Sequence, residues 1–154
     1  MSELLQDMTS RDATRVWSGS CAIIKLRDTG ELDLLAANID VIRRETENLQ
    51  LGGQLFPNAE HLRLALRKLR YYRAHSGCLC ALYPEYLMYN PQEEARAGNV
   101  VIERVIYLQD KYVDAYICTC TTCGTRYRVE EREYHYMWWG WKAEPETAGD
   151  ARNA

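Results

Sequence analysis

Ile117-Cys118-Thr119-Cys120-Thr121-Thr122-Cys123-Gly124-Thr125-Arg126-Tyr127 places β-favouring residues on both sides of a Cys-x-x-Cys-Gly turn. The pattern predicts a strand, a tight knuckle and a second strand running back. Two thiolates separated by two residues can face one ion, and a glycine after the second supplies the positive φ such a turn often needs. Cys120 and Cys123 therefore form half of a tetrahedral zinc site. The other half is expected from Cys78-Leu79-Cys80, where alternate residues of an extended segment leave on one face. Cys78, Cys80, Cys120 and Cys123 are the expected ligands of a structural Zn²⁺, with Cys118 or His75 as the replacement for any one of them.

Three other uses of these cysteines compete with that reading. Disulfides belong to oxidising compartments, and Met1–Asp7 lacks the basic region and apolar run of a secretory signal, so a reducing, cytoplasmic setting is expected. A thioredoxin-type redox pair sits between a strand and a helix, whereas this knuckle has β-type sequence on both sides. Burial as an inert side chain suits Cys21, beside Ala22-Ile23-Ile24.

The chain has 154 residues and a formal charge of −3, which fits one domain with a sizeable core. No apolar run approaches the ~18 residues of a membrane span, so no membrane association is expected. The slightly negative charge argues against general nucleic-acid affinity. Eleven tyrosines and four tryptophans stand against one phenylalanine; large rings with a polar tip suit a wet contact surface, and so a protein that binds something.

Working outward, residues 1–20 are polar with few anchors, and Ser18-Gly19-Ser20 reads as a loop in a mobile N-terminal segment. Cys21 to Leu26 reads as a short strand. Asp28-Thr29-Gly30-Glu31 reads as an N-cap, followed by one helix to about Glu45 on the repeat Leu32, Leu35, Ala36, Ile39, Ile42. Leu49 to Phe56 around Gly52-Gly53 carries a hairpin signal. Asn58 is the expected cap of a second helix to His75, with Leu62, Ala65, Leu66, Leu69 and Tyr72 on its apolar stripe and Arg63, Arg67, Arg70, Arg73 and nearby Lys68 on a solvated basic face. Pro84 makes Ala81–Tyr89 an edge or extended packing segment. Residues 90–99 read as a charged connection. Val100–Leu108, Tyr112–Cys118 and Arg126–Tyr134 read as three antiparallel strands. Tyr134–Lys142 reads as an aromatic cover, and residues 143–154 as a disordered tail. The expectation is an α+β fold: two helices before a small antiparallel sheet with a zinc-ribbon-like four-cysteine site, in one domain spanning 21–142.

Four thiolates complete a zinc shell and leave no open position for hydrolysis, so the metal is read as a clamp. His135 near Glu130, Glu131 and Glu133 is the one acid/base combination in view. It has no nucleophile, oxyanion turn or phosphate loop beside it, and no catalytic residue or enzyme activity is expected. Acidic side chains beside aromatics suit capture of a basic protein, which selects Glu130, Glu131, Glu133, Tyr136, Trp138 and Trp139 as partner-binding candidates.

From about Asp40 to Lys142, on Gly77-Cys78-Leu79-Cys80, Cys120-Thr121-Thr122-Cys123-Gly124 and Glu130-Glu131-Arg132-Glu133-Tyr134-His135-Tyr136, the chain resembles small bacterial zinc-binding immunity proteins encoded beside secreted or contact-delivered toxins. The resemblance implies a cytosolic protein that binds one toxin domain and blocks its active site or its access to substrate. It assigns no toxin-contacting residue. The alternatives from other classes are a zinc-ribbon nucleic-acid binder or regulator using the basic face of Asn58–His75, and a thiol oxidoreductase.

Overall fold

The computed structural model describes residues 2–75 and 77–145. Two compact units divide the chain, Met1–Leu79 and Cys80–Ala154. The architecture is α+β, but richer in helix than expected: the described residues form six α-helices, one 3₁₀ helix and four strands.

The first unit is helical: α1 Glu3–Met8, α2 Ala13–Lys25, α3 Thr29–Ala37, α4 Ile39–Thr46 and α5 Asn58–Ala74. Residues 1–20, expected to be a mobile segment, thus supply α1 and the first half of α2. Ser2 and Asp12 cap these helices through backbone N–H donors of Leu5 and Arg15. Neither Ser18-Gly19-Ser20 nor Cys21–Leu26 is loop or strand; both lie in α2 but for Leu26, its C-cap. Gly19 is a packing residue, since a Cβ there would stand 2.8 Å from the Met8 sulfur. Asp28 caps α3 as expected. The apolar repeat from Leu32 to Ile42 is buried throughout, yet the helix breaks at Asn38, whose side-chain amide donates to the Leu34 carbonyl at 2.8 Å. That local bond offers the backbone an alternative to continuing.

The Gly52-Gly53 segment has the expected positive φ values, 73° and 102°, but forms a loop without strands. Asn58 folds that loop back: its N–H donates to the Gly52 carbonyl and its amide to that of Leu51. Its side chain is therefore not a helix cap, and the cap position falls on Pro57. The buried stripe of α5 is Leu64, Ala65, Lys68 and Leu69, rotated from the expected one.

Lys68 corrects the reading of the basic face. It is fully buried, and its ammonium donates to the carbonyls of Ile23, Ile24 and Leu26 at 2.9, 2.9 and 2.6 Å. Those oxygens belong to the last turn of α2 and its cap, where a helix has no partners of its own and carries partial negative charge. A single cation with three protons satisfies all three.

The second unit starts with the 3₁₀ helix Cys80–Glu85, passes through α6 Pro91–Arg96, and ends in β1 Val100–Leu108, β2 Tyr112–Cys120, β3 Arg126–Glu133 and β4 Met137–Ala143. The four strands form an antiparallel meander in the order β1-β2-β3-β4. The aromatic stretch expected as a cover thus supplies a fourth strand. The actual cover is 80–89: Leu82, Tyr83, Tyr86 and Tyr89 are buried, and Tyr83 stacks on Trp141 with centroids 4.2 Å apart. This segment is also bonded to β4: the Trp139 backbone N–H donates to the Leu87 carbonyl and the Trp141 indole Nε1 to that of Tyr89, each at 2.8 Å. Residues 90–99 hold a short helix capped by Asn90. Of the expected tail 143–154, the part from 146 lies outside the described residues.

Candidate metal centre

Strand register carries the cysteines to one end of the sheet. Cys120 closes β2 opposite Val100, and β3 begins at Arg126 opposite Thr119. The connection between them is the knuckle. Cys120 N–H donates to the Thr125 carbonyl at 2.9 Å, and Gly124 N–H to that of Cys120 at 3.0 Å. Gly124 has φ of 76°, as its place after the second cysteine required. Thr121 anchors the turn from outside through its N–H and hydroxyl to the carbonyls of Gly98 and Asn99.

Here the sulfurs of Cys78, Cys80, Cys120 and Cys123 all lie within 4.8 Å of one another. The four residues selected from the sequence are therefore the four that come together. Sulfurs bound tetrahedrally at about 2.3 Å from one ion stand about 3.8 Å apart, so the cluster fits an ion with little movement. All six cysteines are thiols. Four soft thiol donors favour an ion such as Zn²⁺ over magnesium or calcium.

Hydroxyl groups line the cluster. Tyr127, 3% exposed, directs its hydroxyl to the Cys80 sulfur at 3.2 Å and the Cys80 carbonyl at 3.1 Å. Thr125 Oγ1 is 3.1 Å from the Cys123 sulfur. Bonding to the Thr125 side chain is the main cause that brings the Cys123 thiol down to about 6, with backbone, Cys80 and Cys120 contacts helping and partial burial opposing. Such neighbours favour the thiolate, the form that binds metal. Nothing in the sequence singles out Tyr127 or Thr125 directly; Thr125 stands two residues past a candidate ligand, whereas only strand register brings Tyr127 in.

Neither proposed replacement joins the group. Cys118 is fully buried on the same strand face, opposite Tyr127, and burial, with the Glu103 charge adding, pushes its thiol up to about 12. The imidazole of His75 stacks on Tyr71 at 4.0 Å, with Nδ1 3.0 Å from the Tyr71 carbonyl. Cys21 is half-buried in α2, and its thiol is raised by burial. Iodoacetamide at pH 8 is accordingly expected to leave Cys118 of the folded protein unmodified while Cys21 reacts slowly; mass mapping that finds Cys118 alkylated first contradicts its placement.

No family model, curated protein or solved structure matches the chain.

The partner-binding candidates separate in the structure. Glu131 accepts from Tyr116 Oη at 3.0 Å and Trp139 Nε1 at 2.8 Å. Burial, then this hydrogen bond, raises the Tyr116 hydroxyl. Glu130 lies 3.9 Å from Lys142 and 4.0 Å from Arg132. Trp138 is opposite Arg132 and Trp139 opposite Glu131; both rings are half-buried, as is Tyr136. Glu133 is exposed at the end of β3. Two of the three candidate carboxylates thus have partners within the sheet. More exposed are Tyr107, Leu108, Tyr112 and Tyr134, at 56, 57, 59 and 76%, side chains outside the acidic-aromatic pattern that marked the candidates. The antiparallel register brings the β1–β2 and β3–β4 turns to the sheet end opposite the knuckle.

Among the described residues, no helix is long and apolar enough to cross a membrane. His135 is exposed and packs on the Tyr134 ring at 4.3 Å. His61 is part-buried against Phe56, and burial lowers its pKa.

Proposed function

We propose that this chain is a non-catalytic, cytosolic protein-binding module whose four thiolates hold one structural Zn²⁺, and that it acts as an immunity protein neutralising a cognate bacterial toxin. The observation that carries the metal part is the approach of four sulfurs to within 4.8 Å. A filled thiolate shell supports a clamp over a Lewis-acid role, since no coordination position is left for substrate. The binding part is supported by large exposed side chains at the sheet end opposite the knuckle, with Glu133 beside them, a surface suited to a basic protein.

The toxin reading rests on the motif resemblance, and its experiment is genetic as well as physical. The gene adjacent to this one is expected to encode a toxin whose catalytic domain co-purifies with this chain and loses activity in the complex; a neighbour with no such activity and no complex removes the reading. If Glu130, Glu131 and Glu133 contribute to the contact, reversing their charge slows association several-fold, and at Glu133 it does so with thermal stability intact. Glu133→Lys is the cleanest of the three, because Glu130 and Glu131 have partners inside the sheet. Unchanged association kinetics would take Glu133 out of the surface.

The nucleic-acid alternative loses support from α5. Lys68 is buried, Arg63 is bonded to Glu60 at 2.8 Å, and Arg67 lies over the Tyr71 ring at 5.5 Å. A steep loss of affinity for mixed DNA or RNA with rising salt would restore it.

A further inference from the structure

We propose that Cys80 and Cys123 form a peroxide-oxidisable pair whose disulfide displaces the metal from the four-thiol cluster. The displacement rests on the zinc reading above, whereas the choice of pair does not. Three observations favour this pair. Their sulfurs are 3.4 Å apart, so closing to the roughly 2.05 Å of a disulfide takes a small movement. Cys123 is exposed on the knuckle, while Cys80 and Cys120 are 6 and 3% exposed; an oxidant meets Cys123 first. The Cys80 sulfur is held in place by Tyr127 from the buried side, which keeps it facing its neighbour.

The chemistry balances with hydrogen peroxide as the oxidant. The Cys123 thiolate attacks one peroxide oxygen, the O–O bond breaks, and a sulfenic acid forms as the departing oxygen takes up a proton and leaves as water. The Cys80 thiolate then attacks the Cys123 sulfur, forming the S–S bond; the sulfenic oxygen takes a second proton and leaves as a second water. Two thiolates have lost two electrons to the peroxide. An ion bound by all four sulfurs is left with Cys78 and Cys120, too few to hold it. The disulfide still ties Cys80, at the start of the cover segment, to the knuckle, so the oxidised sheet unit keeps a cross-link where the metal had been.

The test oxidises zinc-loaded and chelator-stripped protein with hydrogen peroxide. Released zinc is read with a chromophoric chelator, and disulfides are mapped by peptide mass spectrometry without reduction. Expected are a Cys80–Cys123 disulfide in both samples, one zinc released per disulfide, Cys118 still a thiol, and recovery of the four-thiol form with dithiothreitol and zinc. Melting of the oxidised protein is expected between the zinc-loaded and reduced, metal-free forms. A disulfide between Cys120 and Cys123, sulfinic acid at Cys123 with no cross-link, or no oxidation at peroxide concentrations that exhaust Cys21 would overturn the pairing. Zinc retained after the disulfide has formed would overturn the displacement. A chain that never takes up zinc removes the metal reading and the release with it, while the disulfide map of that sample still decides the pair.

Discussion

Cys120→Ser is expected to lose stoichiometric zinc and the cooperative unfolding of the unit that begins at Cys80. Apparent binding of structural zinc to thiolate sites contributes on the order of 10–16 kcal/mol, more than a small domain's whole stability. Cys120 closes β2 and its backbone makes both knuckle hydrogen bonds to Gly124 and Thr125, so a serine there takes one buried sulfur from the four-cysteine cluster and, on the zinc reading, leaves the turn without its ion. Cys78→Ser is expected to behave alike, and Cys21→Ser, outside the cluster, to change neither zinc content nor melting. Thermal unfolding followed by circular dichroism, with zinc counted by elemental analysis, reads both. A Cys120→Ser protein that still melts within about 2 °C of the parent would remove the clamp, since a shift that small corresponds to less than about 1 kcal/mol.

The second large effect is in the helical unit. Lys68→Met keeps the apolar stem and removes the ammonium, stranding the carbonyls of Ile23, Ile24 and Leu26. Loss of one side of a buried, charge-assisted arrangement costs about 3–5 kcal/mol, because the groups left behind have already given up water. In a unit of this size that lowers the melting temperature by more than about 10 °C. Hydrogen exchange is expected to place the damage in the last turn of α2 first. If Lys68→Met melts with the parent, the three carbonyls are satisfied without the lysine and its burial has no stabilising role.

These two sites differ in how far the sequence disclosed them. The four-cysteine cluster was readable because thiol spacing is itself informative: Cys-x-Cys and Cys-x-x-Cys-Gly each present two sulfurs locally, and β-type flanks gave the strands that carry the knuckle. Lys68 was not, since periodicity marks a lysine among arginines as solvent-facing; only the unsatisfied end of a helix more than forty residues earlier makes its burial favourable. Gly19 misled for a related reason. Between two serines it has the composition of a loop, yet its missing side chain is what lets the Met8 sulfur approach α2. The first expected helix was split by Asn38, whose side-chain bond to Leu34 is a local option that the apolar repeat from Leu32 to Ile42 cannot report. In Tyr134–Lys142 the density of tryptophans obscured an ordinary alternation, and a fourth strand was read as a cover. The reverse happened at Ala81–Tyr89, where Pro84 correctly excluded a central strand and the tyrosines proved to be the cover itself.

The most direct measurement of the central claim is zinc-edge X-ray absorption on protein purified under reducing conditions, with metal counted on the same sample. One zinc per chain with four sulfur neighbours at about 2.3 Å and no oxygen or nitrogen in the shell is the predicted result. Metal at well under one equivalent, or a shell with two sulfurs and lighter atoms, would contradict the four-thiolate centre.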